Sequence, residues 1–245
     1  LSALRDRYDI LLVDNRGTGL SDELQCTLFS PSDTQSYFLQ LWPDARLKAC
    51  RDTLAERVDL DDYATDNAAD DLDDLRGALG YPKIVLSGDS GGTTFFLDYA
   101  RRHPDHVESI LLQGVAPPHI LIIPLEDAQG AQLAIDSLAM DCEADASCRS
   151  HFPEFRAHFA ALVKRFDHGP VRIQVESTQT HRLVWVRLSK EVFADRLRQT
   201  MYGTEAAAYV PYIIEHAYAG DYVPLGTLIE ETTTGIDDFV PAGIN

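Results

Sequence analysis

The sequence predicts an α/β protein, with a parallel β-sheet in its first half and a mostly helical insertion in its second half. The first observation is an apolar segment that leads through a glycine-rich turn into a helical pattern at residues 83–103. The second is a pair of apolar segments, residues 8–14 and 107–113, that are typical of strands covered on both faces. The third is the alternation of these strands with helices, which predicts right-handed βαβ units.

Helical patterns fill the gaps between these strands. One helix is predicted at residues 44–57 and another at residues 66–80. The second is amphipathic, because its apolar side chains recur on one face. That face consists of Ala68, Leu72, Leu75 and Leu79. Gly80 and Pro82 are typical of a helix end, so the next strand can begin directly afterwards.

The second half has a different pattern. Two alternating segments, residues 171–175 and 181–188, predict a β-hairpin. The rest is helical, at residues 124–140, 153–167, 190–201, 211–219 and 225–232. We therefore divide the chain into a sheet core at residues 1–120 and a mostly helical lid or cap at residues 121–245. We expect this lid to cover the carboxyl edge of the sheet.

Composition excludes several classes of function. The 245 residues carry a formal net charge of −18, which argues against nucleic acid as a partner because phosphate binding needs a basic face. No apolar run approaches the roughly 18 residues of a membrane span. The aspartate-rich stretch at residues 59–74 lacks the alternation and glycine of a calcium loop, so we expect a solvated helix face there and no metal site.

Four cysteines indicate a disulfide framework. They are Cys26, Cys50, Cys142 and Cys148. Four cysteines can all be paired, and three different pairings are possible. A disulfide could close the short acidic loop between Cys142 and Cys148. No Cys-x-x-Cys pair or matched histidine pair indicates zinc. Disulfides would place the protein in an oxidising compartment, which predicts a secreted or periplasmic location.

The glycine-rich turn contains the candidate catalytic residue. Gly-x-Ser-x-Gly between a strand and a helix is the nucleophile elbow, which exposes its serine near a helix N-terminus. Its residues are Gly88, Asp89, Ser90, Gly91 and Gly92. The same five letters surround the nucleophile of trypsin-like proteases, but there they lie in a loop of an all-β fold. A tight strand-to-helix turn without chemistry is the other alternative.

Further motifs occur in a characteristic order along the chain. They are Asp14-x-Arg16-Gly17-Thr18-Gly19-x-Ser21, Tyr63-x-Thr65, Asp70-x-x-Asp73-x-x-Arg76-x-x-Leu79-Gly80, Gly88-x-Ser90-x-Gly92-Thr93, Tyr99 with Pro104, Cys142-x-x-Asp145-x-x-Cys148 and Gly220-Asp221. Together they resemble the α/β-hydrolase superfamily, and within it the proline iminopeptidase and tripeptidyl aminopeptidase group of serine peptidases. The resemblance covers nearly the whole chain.

The resemblance implies roles for individual residues. Ser90 would be the nucleophile, and the Gly91 N–H would form half of the oxyanion hole. No cofactor would be needed. Sequence proximity and the family pattern together pair Cys26 with Cys50 and Cys142 with Cys148. The chain departs from the family at Gly91, where a bulky aromatic residue is usual, and at Gln113-Gly114, where the usual pair is Asp-Gly.

Two parts of the family's catalytic machinery have no counterpart in the motifs. The second oxyanion donor is expected before Leu1, and the acid and histidine of the triad are expected after Asn245, so we expect a chain that is incomplete at both termini. Of the eight histidines, His119 is the one whose position, just after a strand end, would place it near Ser90.

These observations predict a serine hydrolase, an aminopeptidase that releases N-terminal residues or short peptides. Its substrate would be a short peptide or a small acyl compound. An esterase acting on small acyl esters is the first alternative, because the same machinery allows it. A non-catalytic α/β-hydrolase-like binding module is the second.

Overall fold

The computed structural model describes residues 5–30, 32–116 and 124–234, and the side chains among these except those of 124–127 and 234. Four strands are described: β1 (Ile84–Asp89), β2 (Val107–Gln113), β3 (Val171–Glu176) and β4 (Leu183–Leu188). The helices are α1 (Ser36–Leu39), α2 (Asp44–Ala55), α3 (Thr65–Ala78), α4 (Gly91–Arg102), α5 (Pro124–Ala144), α6 (Ala146–His151), α7 (Phe155–Arg165), α8 (Lys190–Thr200), α9 (Thr204–Ala207), α10 (Val210–Ala219) and α11 (Val223–Thr234). Single 3₁₀ turns lie at Leu60–Tyr63 and Pro104–His106.

The chain forms two compact units. The described residues 5–25 and 51–116 belong to the first, and the described residues within 26–50 and 124–234 belong to the second. The sequence-based division places residues 26–50 with the sheet, whereas in the structure this segment packs with the helical unit.

The first unit is built on a parallel pair of strands. Strands β1 and β2 run side by side, with Leu86 opposite Ile110 and Asp89 opposite Gln113. Helices α3 and α4 pack on the pair, and a small core forms where they meet. Its buried members are Ala69, Leu72, Leu86 and Tyr99. The predicted strand–helix–strand order and the parallel pairing are therefore confirmed here.

The predicted strand at residues 8–14 is wrong. The segment has no regular secondary structure, and Leu12 is 85% exposed. Side chains hold it instead: Tyr81 donates to Asp9 at 2.7 Å, and Asp14 accepts from the Leu20 N–H at 2.9 Å. An apolar segment becomes a strand only when a neighbour completes its hydrogen bonds. Among the described residues, β1 pairs with β2 alone, so no such neighbour lies beside residues 8–14.

The second unit combines helices with an antiparallel hairpin. Strands β3 and β4 pair from Val171 opposite Leu188 to Glu176 opposite Leu183. Their alternation buries one face of the hairpin and leaves Trp185 exposed on the other, as expected for a sheet covered on one side. Helix α11 approaches β3 so closely that a Cβ at Gly226 would lie 2.6 Å from Val175. The predicted hairpin and the helices around it are confirmed.

Both expected disulfides are present in the second unit. The Cα atoms of Cys26 and Cys50 lie 5.8 Å apart, and those of Cys142 and Cys148 lie 5.0 Å apart. Both separations fall in the range that disulfide geometry requires. The described cysteines are therefore all paired.

Of the helices in the described part of the chain, none combines the length and apolar character that crossing a membrane requires.

Candidate active site

The turn between β1 and α4 holds Ser90 in a strained conformation. Strand β1 ends at Asp89 and helix α4 begins at Gly91, so a single residue makes the turn. Ser90 has φ 51° and ψ −122°. A positive φ outside glycine is uncommon, and such backbone strain costs on the order of 1–3 kcal/mol. The residue is exposed, and its side chain does not cap the helix that follows.

Gly88 permits the close approach of strand and helix. A Cβ built on Gly88 would lie 2.5 Å from the Phe96 ring and 2.9 Å from the Gly92 carbonyl oxygen. No side chain fits there without a shift of the helix backbone. A Cβ on Gly92 would meet nothing within 4 Å. The close approach of strand and helix therefore needs a glycine at position 88, while Gly92 contributes its carbonyl oxygen to the contact.

Gly91 stands in open space. A Cβ there would meet nothing within 4 Å. The absence of a side chain therefore leaves a gap above the turn without altering the backbone. As the first residue of α4, Gly91 presents its N–H at the helix N-terminus, where the first N–H groups lack partners within the helix. The helix dipole favours negative charge at the same place.

Backbone hydrogen bonds fix the serine to the neighbouring strand end. The Ser90 N–H donates to the Gln113 carbonyl oxygen at 3.0 Å. This bond uses only the backbone of Gln113, so the departure from the usual aspartate does not affect it. Gly114 follows with φ 59°, and a Cβ there would lie 3.1 Å from the Asp89 carboxylate. The end of β2 therefore needs a glycine at position 114.

Thr93 is a supporting residue that occurs in the elbow motif but to which the sequence reasoning assigned no role. It is completely buried. Its hydroxyl donates to the Ser90 carbonyl oxygen at 2.6 Å and accepts from the Ala116 N–H at 2.8 Å. The neighbouring Thr94 donates to the Ala116 carbonyl oxygen at 2.6 Å. One threonine thus joins the strained turn, the first turn of α4 and the chain beyond β2. A hydroxyl on an otherwise apolar helix face is the signal that could have identified it.

The loop after residues 8–14 is held on α3 by an arginine. Arg16 donates to both carboxylate oxygens of Asp71, at 2.7 and 2.6 Å, and to the Asp62 carbonyl oxygen at 2.6 Å. The hydrogen bond with Asp71 raises the pKa of Arg16 above its usual value. Gly17, at φ 78°, lies against Tyr63, whose ring would be 2.8 Å from an added Cβ. The Arg16 and Tyr63 motifs therefore form one small structure, beside a hollow of about 390 Å³.

The described histidines of the first unit lie far from the serine. His103 and His106 follow the C-terminal end of α4, whereas Ser90 precedes its first residue. A helix of 12 residues is about 18 Å long. Neither histidine can therefore accept a proton from the Ser90 hydroxyl. His119, the candidate from the sequence, lies outside the described residues.

Among the described residues of the second unit, two histidines form hydrogen bonds with carboxylates. The Nδ1 atom of His158 lies 2.7 Å from Glu215, and that of His216 lies 2.8 Å from Asp221. The His158 ring also stacks on Tyr218 at a centroid distance of 3.7 Å. These contacts join helices α7 and α10 and close the end of α10.

Comparison with known proteins identifies the family. The sequence profile of the alpha/beta hydrolase fold matches residues 1–220. The chain belongs to the alpha/beta hydrolase fold family. This membership confirms the fold class and the superfamily that the motifs predicted, and it agrees with the parallel strands on either side of α4.

Curated relatives within this family are similar over part of the chain. Serine protease Hip1 of Mycobacterium bovis and that of Mycobacterium tuberculosis are each 37% identical to it over 86 residues. This region is 34% of the present chain and 16% of each relative. The aligned part of the chain therefore spans about a sixth of the length of these relatives.

Proposed function

We propose that the chain carries the nucleophile of a serine hydrolase, and that Ser90 is this nucleophile. The observation that carries the proposal is the conformation of Ser90. A buried threonine, a glycine without room for a side chain and a backbone bond to β2 all maintain a strained, exposed serine at a helix N-terminus. Strain of this kind persists only where surrounding structure enforces it, and it is concentrated at functional sites. A turn without chemistry would not need it.

The reaction would be acyl transfer through a nucleophile elbow. The Ser90 hydroxyl oxygen attacks the substrate carbonyl carbon while a general base takes its proton. The carbonyl oxygen becomes negatively charged, and the Gly91 N–H donates a hydrogen bond to it. The base then returns the proton to the leaving amine, and water releases the acyl group from Ser90 by the reverse sequence. Because His103 and His106 are too distant, neither of these described histidines of the first unit is the base.

A peptidase is favoured over an esterase. The relatives that share 37% identity are named serine proteases, and the motif order resembles the proline iminopeptidase and tripeptidyl aminopeptidase group. We therefore propose an aminopeptidase that acts on the N-terminus of short peptides. An esterase on small acyl esters uses the same attack on a carbonyl carbon, so activity on esters alone would favour it.

The two disulfides support an extracytoplasmic location. Disulfides persist in oxidising compartments and are rare where thiols are kept reduced. All four described cysteines are paired. We propose a secreted or periplasmic protein.

The test combines a fluorophosphonate probe with peptide substrates. The protein in its full natural reading frame should be labelled at Ser90 and should hydrolyse alanyl or prolyl arylamides. Ser90→Ala should abolish both, whereas Ser87→Ala, on an exposed position of β1, should retain both. Labelling or hydrolysis that survives Ser90→Ala would remove the nucleophile assignment. A stably folded wild-type protein without labelling or hydrolysis would indicate a binding module instead.

A further inference from the structure

Two histidines and two aspartates converge at the end of α4 that lies away from Ser90. His103 is the C-terminal cap of α4, and His106 ends the 3₁₀ turn that follows. Asp70 and Asp73 lie on α3 three residues apart, and residues at this spacing share a helix face. Helix packing in the first unit therefore brings together two imidazoles and two carboxylates. The proposed hydrolysis uses none of them.

Three of these side chains have the spacing of metal ligands. One atom each from Asp73, His103 and His106 can be chosen so that all lie within 4.8 Å of one another. The Nδ1 atom of His106 is 2.7 Å from one Asp73 oxygen, and that of His103 is 3.6 Å from the other. Tetrahedral Zn²⁺ with bonds of about 2.0–2.1 Å holds its ligand atoms about 3.3 Å apart. The two observed separations lie on either side of this value but involve different Asp73 oxygens, so the side chains must shift before a single Asp73 oxygen and both imidazoles can hold one ion.

Asp70 orients His103 as a ligand. The Nε2 atom of His103 lies 2.9 Å from the Asp70 carboxylate, which accepts its N–H. In the neutral ring, the lone pair is then on Nδ1, which is the atom that faces Asp73. Metal-binding histidines usually donate their other N–H to a carboxylate in this way. Arg102 donates to the same aspartate and holds it in place.

Some features around these three side chains favour the binding of a cation, and others oppose it. The C-terminal end of α4 is the negative end of its dipole. The side chains of Asp73, His103 and His106 are 15%, 21% and 37% exposed, so an ion can enter from solvent. Against this, Arg76 donates to both oxygens of Asp73, at 2.8 and 3.2 Å, and its Nη2 lies 3.1 Å from Nδ1 of His106. Tyr99 donates to Asp73 as well. An incoming ion must displace Arg76 from the longer of its two bonds.

We propose that Asp73, His103 and His106 bind one divalent transition-metal ion, for which Zn²⁺ has the best-matched ligands. Two imidazoles and one carboxylate suit Zn²⁺, and three protein ligands leave the fourth position for water. The ion joins the end of α4 to α3. It stabilises the helix that presents Ser90 from about 18 Å away without entering the reaction. The sequence does not indicate this site, because its ligands come from α3 and from the segment that follows α4, and the histidines have only a short His103-Pro-Asp-His106 spacing.

Zn²⁺ titration of the metal-stripped protein tests this site. We expect one ion per chain by calorimetry and a rise in melting temperature with Zn²⁺, because an ion that binds the folded state stabilises it. His103→Gln and His106→Gln, which keep polar side chains, should each weaken binding at least tenfold. His168→Gln, at an exposed histidine of the second unit, should leave it unchanged. Equal binding by the wild-type protein and both glutamine variants would overturn the proposal, as would no binding at millimolar Zn²⁺.

Co²⁺ provides a measurement on the unchanged protein, in case a variant folds poorly. A site with two imidazoles and one carboxylate should give the intense visible absorption of four-coordinate Co²⁺, and one equivalent of Zn²⁺ should remove it. The weak spectrum of hydrated Co²⁺ alone would overturn the proposal. Neither measurement depends on peptidase or esterase activity. The metal-site proposal can therefore be disproved while Ser90 remains the nucleophile, and the nucleophile proposal can be disproved while the metal site stands.

Discussion

The Thr93 hydroxyl lies 2.6 Å from the Ser90 carbonyl oxygen and donates a hydrogen bond to it. The same oxygen also accepts the Thr93 N–H at 2.9 Å. Thr93 has no exposed surface, so water cannot replace either bond. The conformation of the proposed nucleophile therefore depends on a side chain that does not contact substrate.

Thr93→Val should destabilise the first unit. The valine has a similar shape but leaves the Ser90 carbonyl oxygen short of one donor and the Ala116 N–H without its acceptor. Unsatisfied buried groups of this kind cost about 1–3 kcal/mol each. We expect a loss of roughly 2 kcal/mol in urea unfolding and slower fluorophosphonate labelling of Ser90. Thr93→Ser, which keeps the hydroxyl, is the control. A valine variant as stable as wild type would show that this bond does not maintain the turn.

Gly88 and Gly91 should respond oppositely to the same substitution. Gly88→Ala places a methyl group 2.5 Å from the Phe96 ring and 2.9 Å from the Gly92 carbonyl oxygen. Overpacking against backbone costs about 1–3 kcal/mol. Gly91→Ala meets no atom within 4 Å and replaces a helical glycine, which should stabilise the protein by about 0.5 kcal/mol. The melting temperatures of the two variants show whether stability falls for Gly88→Ala and rises for Gly91→Ala. Equal effects would mean that the strand and helix can separate at no cost.

The sequence predicted most elements because each has a local pattern. The strands β1 and β2, the hairpin and the long helices follow from periodicity and from glycine and proline positions. The strand predicted at residues 8–14 is wrong because an apolar pattern indicates burial but does not supply a partner strand. The segment 26–50 gave no indication that it packs with the helical unit, since this depends on contacts between distant parts of the chain.

The sequence predicted the serine at the centre of the candidate site better than the residues that hold this serine in place. Gly-x-Ser-x-Gly located Ser90, because the turn needs glycine at fixed positions. The burial of Thr93 depends on how α4 sits on the end of β2, which the sequence does not express. The histidine–aspartate cluster depends on the register between α3 and the end of α4. Both are tertiary relationships between residues that are individually unremarkable in sequence.

The two disulfides should contribute unequally to stability. They close chain segments of 24 and 6 residues, for Cys26–Cys50 and Cys142–Cys148 respectively. The chain-entropy estimate gives about 3.5 kcal/mol for the longer and about 2.2 kcal/mol for the shorter. We therefore expect the Cys26→Ala, Cys50→Ala double variant to lose about 1 kcal/mol more than the other double variant. Urea unfolding under non-reducing conditions measures both. The opposite order would show that native packing around the shorter bridge outweighs chain entropy.

Asp221 should make the second unit less stable in acid. The hydrogen bond from His216 Nδ1, at 2.8 Å, is the main reason that the pKa of Asp221 is lowered, and the Val223 N–H contributes to the same direction. A carboxyl whose pKa is lower in the folded state stabilises the protein above its unfolded value of about 3.9, and this stabilisation is lost as the pH falls through the folded value. Because the Asp221 side chain is 49% exposed, we expect less than about 1 kcal/mol. Asp221→Asn should therefore be slightly less stable than wild type at pH 6, and the two should converge as the pH falls through the lowered pKa of Asp221. Urea midpoints measured from pH 2 to pH 7 give the difference directly. A gap that stays constant over this range would mean that the ionised carboxylate is not the form that the fold prefers.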